Sequence, residues 1–412
     1  MKKHIVFMYP SRNIGGAQLL FSRLACYLAE EDIANVSVVD YHDGFIRRQL
    51  ESVPAVNFID YSPGVTLPVG SVTIIALTHL AYLRFMVSRK SLSGDFLLWS
   101  LHPKNIEHVL YSYFRHFFQL RRKKILSLLS EMAELGSIVF MDGSNKFSFE
   151  RAIGSELTVA NFLPIPIPIP IQRTSDSSVH TVGSNIAIAW LGRISRDKLS
   201  AIEKVIEEIS LSKYKNNIIF HVIGDGAEIA SVFKYADRKN VQFNHVGILE
   251  QPALDDFLVN QVHFGIAMGT SCLEFAKVKI PVAIADYSYS KIPHSHGYDW
   301  LYDTANFTLG NDVAWGFTRR MVFDDLILDF TRDKLNEVGL KCYDYSLENH
   351  SIHSVSKRLL ESLDTRAQKK ALKVSHVERL INPCFFSAGY RISLCIKRTL
   401  MSLRTLVNLD EN

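Results

Sequence analysis

A run of alternating prolines, Pro164-Ile165-Pro166-Ile167-Pro168-Ile169-Pro170, interrupts the 412-residue chain near its middle. Proline fixes φ and has no backbone N–H, so this run can form neither a helix nor a central strand. A polar stretch, residues 174–178, follows three residues later. Residues 164–183 therefore have the composition of a stiff, extended linker, which predicts two structural units.

Apolar strands alternate with helices on both sides of this linker. Before it we predict a helix at Gln18–Glu30 and strands at His4–Tyr9, Val36–Asp40, Val72–Leu77, Phe96–Ser100 and Ser137–Met141. After it we predict strands at Ile186–Leu191, Ile218–Ile223, Val241–Phe243, Phe264–Ala267 and Pro281–Ala285, and helices at Ser200–Ile209, Glu228–Ala236 and Pro252–Val259. Continuous apolar strands separated by helices indicate a parallel sheet covered on both faces.

The predicted fold class is therefore α/β, with two doubly wound Rossmann-like domains facing across a ligand-binding cleft. The domain bounds that we predict are residues 1–163 for the first and 184–350 for the second. For residues 351–412 we predict a basic C-terminal segment of helices.

Composition narrows the cellular setting. Five scattered cysteines form no metal-type spacing and no even-numbered disulfide framework, which favours a reducing compartment. No segment approaches the ~18–20 consecutive apolar residues of a membrane helix. The net charge of +4 is uneven, because residues 366–407 hold nine Lys or Arg against one acid. We expect a cytoplasmic protein whose basic tail has an acidic partner.

The segment Gly192-Arg193-Ile194-Ser195-Arg196-Asp197-Lys198 lies between a predicted strand and a predicted helix. Two cations at the carboxyl end of a parallel strand can hold a diphosphate and stabilise a departing nucleotide. The alternative is a solvated loop with ordinary surface charges. Gly224 and Gly226 follow the next strand and suit either a close backbone approach to a ligand or any tight turn.

A second candidate anion site is Gly269-Thr270-Ser271, which opens a predicted helix. The N-terminal amides of a helix favour a bound anion. Glu274, about one turn further on, could accept hydrogen bonds from a ribose diol. It could equally be a first-turn acid that complements the helix dipole.

In this order, the motifs resemble those of the two-Rossmann-domain (GT-B) glycosyltransferases, in particular the bacterial family 4 type with G-R-x(4)-K and E-x(7)-E motifs. Gly192, Arg193 and Lys198 match the first motif, and Gly15 and Gly16 stand at the glycine pair that follows the family's first strand. Gly224, Gly226, Gly269, Glu274 and Pro281 match further positions. Ile266 departs from the pattern, because it stands where the first motif glutamate is expected.

The resemblance implies roles for these residues. Arg193 and Lys198 would bind the donor diphosphate and stabilise its departure, and Glu274 would bind the ribose. The amides around Gly269, Thr270 and Ser271 would cradle phosphate, with Gly192 and Gly224 shaping the same donor site. Gly15 and Gly16 would let the first loop approach donor and acceptor. The nucleotide sugar is a substrate, and the resemblance implies no cofactor and no catalytic metal.

His102 follows a predicted strand of the first domain, where several relatives carry a histidine in the cleft. It could bind the donor sugar or act as a base near neutral pH, or it could be a structural residue. Two other clusters could be taken for metal sites: Asp40-Tyr41-His42-Asp43, and the set of His294, His296 and Asp299. For both we favour an ordinary loop.

Two segments suggest a membrane-surface or lipid-linked partner. Residues 109–129 are aromatic and contain the basic positions Arg115, Arg121, Arg122, Lys123 and Lys124. Residues 391–407, placed on a helix, show an apolar stripe with basic residues off it, which suits anionic lipid. The tail helix could instead pack on the first domain. We find no nucleic-acid-binding motif.

The sequence thus predicts a hexosyltransferase type of glycosyltransferase, acting on a saccharide or polyprenyl-linked acceptor in bacterial surface polysaccharide synthesis (O-antigen, capsule or lipopolysaccharide). It would work in the cytoplasm or on the inner face of the cytoplasmic membrane. Two alternatives stay open: a non-catalytic binding or scaffold protein with this fold, and a nucleotide-sugar epimerase.

Overall fold

The computed structural model describes residues 2–114, 122–159, 161–169, 185–328 and 332–370. The chain forms two compact units. We call the first the N-terminal unit, which comprises residues 1–141 and 145–163 and takes in the chain again from residue 356. The second, the C-terminal unit, comprises residues 142–144 and 164–355. The proline run up to residue 169 belongs to the C-terminal unit, and the rest of the predicted linker, 170–183, lies outside the described residues.

The N-terminal unit is built on a parallel sheet of six strands in the order β3-β2-β1-β4-β5-β6. Its strands are β1 His4–Met8, β2 Asn35–Asp40, β3 Val56–Asp60, β4 Val72–Ala76, β5 Asp95–Ser100 and β6 Ile138–Phe140. Its helices are α1 Gly16–Glu30, α2 Phe45–Leu50, α3 Leu83–Met86, α4 Asn105–Phe114, α5 Arg122–Glu134 and α6 Gly143–Ile153. The chain reverses its direction of winding between β1 and β4, which makes that pair the topological switch point of the sheet.

The C-terminal unit repeats this plan. Its strands are β7 Ile186–Leu191, β8 Ile218–Ile223, β9 Phe243–Gly247, β10 Phe264–Ala267, β11 Val282–Ile284 and β12 Asp299–Trp300, in the order β12-β11-β10-β7-β8-β9. All pairs are parallel except β11 with β12. Its helices are α7 Arg196–Leu211, α8 Ile229–Lys239, α9 Ala253–Gln261, α10 Thr270–Lys277, α11 Phe323–Ile327 and α12 Arg332–His350. The switch point here lies between β7 and β10. The predicted α/β class is confirmed.

The central strands have apolar runs because helices cover both faces of each sheet. In β1, Ile5, Val6, Phe7 and Met8 are all fully buried, so neither face alternates with solvent. The same holds for β10, from Phe264 to Ala267. Burial of this kind contributes roughly 25 cal/mol per Å² of apolar surface removed from water, as an upper estimate.

The end of α8 shifts one strand from its predicted place. We predicted a strand at Val241–Phe243, but β9 spans Phe243–Gly247. Helix α8 extends to Lys239 and is closed by Asn240 in the left-handed conformation, and the Val241 amide donates to the Ala236 carbonyl. Because this cap consumes two residues, the strand begins later.

A long helix, α13 at Ile352–Lys370, returns the chain to the N-terminal unit. Its Leu359 and Leu363 are buried, and its Arg366 pairs with Asp95 at the start of β5. The segment 391–407 lies outside the described residues. Among the helices that the structure describes, none has the length and apolarity needed to cross a bilayer.

Candidate functional site

The switch point of the C-terminal unit brings together residues from two predicted motifs. Gly192 directly follows β7, and Ser271 lies in the first turn of α10, just after β10. A Cβ placed on Gly192 would lie 3.2 Å from Ser271 Oγ and 3.5 Å from Lys198 Nζ. Lys198 and Ser271, 73 positions apart in sequence, therefore face the same point at the carboxyl edge of the sheet.

Two glycine-containing loops pack backbone to backbone beside this point. Gly192 has a φ of +140° and Gly224 a φ of +127°, conformations that other residues rarely adopt. A Cβ on Gly224 would lie 2.3 Å from the Gly192 carbonyl oxygen, and one on Gly226 would lie 2.2 Å from that of Ile194. The Gly192 amide donates to the Ile223 carbonyl at 2.9 Å. Glycine at Gly224 and Gly226 therefore serves the approach of the two loops.

Lys198 is a half-buried cation at the carboxyl edge of this sheet. Its Nζ makes no hydrogen bond or ion pair within the described part of the chain. Burial lowers the pKa of Lys198; Asp197 opposes that shift and repulsion by Arg193 adds to it. The Arg193 side chain is exposed. A bound anion would offset the cost of burying the Lys198 charge and would also offset its repulsion by Arg193.

The N-terminus of α10 lies open beside Lys198. Gly269 is its N-cap residue, with a φ of +65°, and no side chain caps the helix. Thr270 is exposed and Ser271 half-buried. The first amides of a helix have no intrahelical acceptor, so they are available to an anion that binds next to the Lys198 amine.

Glu274 lies one turn further along α10. Its Oε2 accepts from Gln251 Nε2 at 2.8 Å and pairs with Lys277 Nζ at 2.8 Å. These contacts fix the carboxylate and tie α10 to the loop that follows β9. The other oxygen, Oε1, has no hydrogen-bond partner among the described residues and can accept from a ligand hydroxyl.

Ile266 is part of β10 and is completely buried in the core of the C-terminal unit. It pairs in register with Trp190 of β7 and Ala283 of β11. Only Met268 and Gly269 separate β10 from α10. The position that spacing equates with the first motif glutamate is therefore a core position, and this chain has no loop there that could carry a carboxylate.

In the N-terminal unit, Gly15 is the extended N-cap of α1 and Gly16 its first residue. A Cβ on Gly16 would meet nothing within 4 Å, so this helix start is open. His102 is exposed after β5, and its Nδ1 accepts from the Lys104 amide at 3.1 Å. The structure thus places all three near the carboxyl edge of the first sheet, close to the ends of β1 and β5.

Our sequence reasoning missed two residues at the switch point of the N-terminal unit. Tyr9 follows β1, and His79 lies in a 3₁₀ turn, Leu77–Tyr82, directly after β4. Their rings are 4.7 Å apart between centroids, although 70 positions separate them. Burial lowers the pKa of His79 to about 4. The signal available in the sequence was position: the predicted strand at Val72–Leu77 places His79 just beyond its carboxyl end.

The two clusters that could suggest metals are occupied by other contacts. The Asp40 carboxylate accepts from four backbone amides, those of Ser11, Tyr41, Ile46 and Arg47. Asp43 instead pairs with Arg12.

The histidine cluster after β11 is also engaged. His296 Nε2 lies 2.9 Å from Asp286, and Asp286 and Asp299 both pair with the buried guanidinium of Arg319. His294 approaches Glu207. Within the described ranges, no group of three or more His, Cys, Asp or Glu could hold a metal ion.

Part of the predicted basic surface can be located. Lys123 and Lys124 are exposed at the start of α5. Tyr111, on the preceding helix α4, is 61% exposed. Arg115 and Arg121 lie outside the described residues, and the side chain of Arg122 is likewise not described.

No protein-family model matches the sequence, and no curated protein has a similar sequence. Solved structures, in contrast, resemble it over most of its length. One is HepE of Anabaena in complex with UDP and glucose, with a TM-score of 0.53 and 14% identity over 88% of this chain and 100% of that one. Another is the apo form of the lipopolysaccharide outer core galactosyltransferase WaaB, with a TM-score of 0.56 and 12% identity over 88% and 99%.

The fold is shared beyond proteins described as transferases. The N-terminal domain of trehalose-6-phosphate phosphatase from Candida albicans matches with a TM-score of 0.53 and 12% identity over 89% of this chain and 97% of that one. At such identities the likeness shows the fold alone. The chain has the GT-B fold, two Rossmann-like units of the kind that HepE and WaaB share.

Proposed function

We propose that the protein is a glycosyltransferase that uses a nucleotide sugar as its donor. The observation that carries this proposal is the convergence of Lys198, Ser271 and the open N-terminus of α10 at the switch point of the C-terminal unit. Lys198 has a pKa lowered by burial and no partner within the described ranges, and it lies beside uncapped helix amides, which suits a diphosphate. Structures of HepE with UDP and with UDP-glucose, on the same fold, support the choice of ligand.

Each donor-binding residue has a distinct part in this proposal. Lys198 and Arg193 bind the two phosphates and stabilise the negative charge that grows on the leaving nucleotide. The amides of Thr270 and Ser271 add hydrogen bonds to a phosphate oxygen, and Glu274 Oε1 accepts from a ribose hydroxyl. Charges placed in advance where charge develops are the largest contribution to many enzymatic rates. For His102, at the carboxyl edge of the sheet in the N-terminal unit, we propose that it hydrogen-bonds a sugar or acts as a base near neutral pH.

The acceptor in this proposal is a saccharide or a lipid-linked saccharide of bacterial surface polysaccharide synthesis. Exposed Lys123, Lys124 and Tyr111 suit an anionic membrane surface, with aromatic and basic side chains at the headgroup level. A vesicle flotation assay with anionic and neutral phospholipids tests this part. We expect the wild type to bind anionic vesicles and the double variant Lys123→Glu, Lys124→Glu to lose that binding. The control is Lys213→Glu, which changes an exposed lysine of the C-terminal unit and should leave binding intact.

A thermal-shift screen against UDP, GDP, ADP, CMP and their sugar conjugates tests donor binding. A ligand at ~100 times its Kd adds about 2.7 kcal/mol to the free energy of unfolding, which is readily measured. We expect one nucleotide class to stabilise the wild type, and Arg193→Ala and Lys198→Ala to lose that stabilisation. Lys213→Ala serves as the charge-matched control. No stabilisation by any nucleotide would overturn the proposal.

Turnover is then measured as nucleotide release with and without acceptor sugars. Losing a charge-assisted contact of about 2.7–4 kcal/mol in the transition state lowers the rate 10²–10³-fold, and we expect this for Lys198→Ala. Wild-type turnover in both Lys198→Ala and Arg193→Ala would refute the assignment of this site.

Burial of Ile266 favours a second candidate, a non-catalytic nucleotide-binding protein with this fold. The tight β10–α10 connection leaves no carboxylate at that place to contact a donor sugar. Nucleotide binding without turnover on any acceptor would indicate this candidate. Conversion of the donor without an acceptor would instead indicate an epimerase.

A further inference from the structure

Among the buried and half-buried histidines, His79 alone has no hydrogen bond to the residues that the structure describes. Six of those histidines each have at least one partner: His4, His221, His245, His263, His296 and His350. His79 Nδ1 is buried and has no partner in the described part of the chain. A buried polar atom left unpaired destabilises the folded state, so its presence calls for an explanation.

The second ring nitrogen of His79 is accessible. Nε2 also lacks a hydrogen bond to the described residues, but unlike Nδ1 it is not buried, so solvent reaches it. The same holds for the hydroxyl of Tyr9, whose ring lies against the imidazole at 4.7 Å. Two unpaired polar atoms therefore stand open at the carboxyl ends of β1 and β4. This is the switch point of the sheet, where open α/β sheets bind ligands.

The surroundings favour an uncharged ligand. Burial is the cause of the lowered pKa of His79, to about 4, so the imidazole is neutral at pH 7. Burial also raises the pKa of Tyr9, which stays a neutral phenol. Asp40, the carboxylate that ends the neighbouring strand β2, is already occupied by four backbone amides. A neutral imidazole and a phenol can each accept or donate one hydrogen bond, which fits the hydroxyl groups of a sugar.

We propose that His79 Nε2 and the Tyr9 hydroxyl bind hydroxyl groups of the acceptor sugar in the N-terminal unit. This inference rests on the proposed transferase function and adds to it a positioned acceptor subsite made of residues that the motifs do not include. The Tyr9 ring holds the imidazole plane, and its edge-on contact with Phe21 of α1, at 5.8 Å, holds the Tyr9 ring in turn. The unpaired Nδ1 destabilises the folded state locally, as is common for groups at functional sites.

The test compares two substitutions of His79 with one control substitution elsewhere in the same unit. His79→Phe keeps a flat ring against Tyr9 but removes both nitrogens. His79→Gln places an amide near the position of Nε2 and so retains a hydrogen-bonding group there. His108→Phe, which changes an exposed histidine of α4 in the same unit, is the matched control. Binding of p-nitrophenyl glucoside, galactoside, mannoside and N-acetylglucosaminide is measured by saturation-transfer NMR, and nucleotide binding by thermal shift.

We expect the wild type to bind at least one of these glycosides, and His79→Phe to weaken that binding at least tenfold. His79→Gln should recover part of it, and His108→Phe should bind as the wild type does. His79→Phe should melt no lower than the wild type and should retain the full nucleotide-induced shift. A purely structural histidine would give the reverse: a lower Tm with unchanged glycoside affinity.

Two results would overturn the inference while the donor site stands: a wild type that binds nucleotide but none of the four glycosides, or equal glycoside affinity in wild type and His79→Phe. A wild type that binds no nucleotide would instead remove the proposed function, and this subsite with it. The nucleotide measurement therefore separates the two failures.

Discussion

The two units have the same strand order and differ in what they place at its switch point. In the C-terminal unit, the ends of β7 and β10 bring Lys198 next to Ser271 and an open helix N-terminus. In the N-terminal unit, the ends of β1 and β4 bring together Tyr9 and His79, whose pKa shifts favour their neutral forms. Topology therefore decides where each site lies, and a few side chains decide whether it suits an anion or an uncharged sugar.

The loops around the two switch points also differ in how they are held. In the C-terminal unit, glycines let the loops touch through their backbones. In the N-terminal unit, the buried Asp40 carboxylate accepts four amide hydrogen bonds, one from the β1–α1 loop, one from the β2–α2 loop and two from the first turn of α2. The loops of the C-terminal unit depend on glycines, which have no side chain, whereas those of the N-terminal unit depend on the one charged side chain of Asp40.

Ile266→Glu should produce the largest effect, and it tests whether the end of β10 can carry a motif glutamate. If Ile266 merely replaced that glutamate at an accessible position, the substitution would raise activity. Because Ile266 is fully buried, we expect instead a loss of about 5 kcal/mol in the free energy of unfolding of the C-terminal unit. Ile266→Val, expected to cost ~0.5–1.5 kcal/mol, is the control in denaturant unfolding. A folded and more active Ile266→Glu would contradict the placement of this residue.

Asp40→Ala tests the role of the carboxylate in the N-terminal unit. It leaves four backbone amides without their acceptor, and we expect a loss of about 3 kcal/mol in the stability of that unit. Asp40→Asn, which keeps one carbonyl oxygen, should lose less. Calorimetry on both variants measures the order. An Asp40→Ala protein as stable as the wild type would show that these loops are held by other contacts.

Gly224→Ala and Gly16→Ala compare the glycines of the two edges. At Gly224 a methyl group meets the Gly192 carbonyl and a positive φ, so we expect a loss of roughly 2–3 kcal/mol. At Gly16 the methyl group enters open space at a helix start, and we expect a gain of up to about 1 kcal/mol. Thermal unfolding of the pair checks the opposite signs. Equal effects would mean that both glycines serve only local turns.

Glu274→Ala should have the smallest effect. It removes the proposed ribose contact and leaves the phosphate contacts in place. We expect nucleotide affinity to fall about tenfold, or ~1.4 kcal/mol, with little change in stability. Titration calorimetry with the nucleotide from the thermal-shift screen measures this. Glu337→Ala, which removes an exposed helix glutamate paired only at the surface, is the control. An unchanged affinity in Glu274→Ala would remove the ribose role.

Much of the fold could be predicted because a strand that is buried on both faces is a continuous run of apolar residues in the sequence. Continuous apolar runs marked the strands Ile186–Leu191, Ile218–Ile223 and Phe264–Ala267 at the bounds that the structure has. Strand β3 was not predicted, because its short sequence, VNFID, mixes polar and apolar residues and only Val56 is buried at this edge of the sheet. Helix α12 was also missed, because its buried residues pack on elements distant in sequence, which no local pattern reports. Helix α13, in contrast, lies in the C-terminal segment that we predicted to be helical.

For the candidate site, the sequence alone determined which residues follow each strand, and so which polar groups can reach an edge of a sheet. Gly192, Lys198 and the turn Gly269–Ser271 were found in this way. Only the tertiary structure decided which of these groups meet. Strand order places β7 beside β10 and β1 beside β4, so Lys198 approaches Ser271 and Tyr9 approaches His79 across some 70 residues of chain. It also placed Ile266 inside the core, because spacing along a motif does not record where a strand ends.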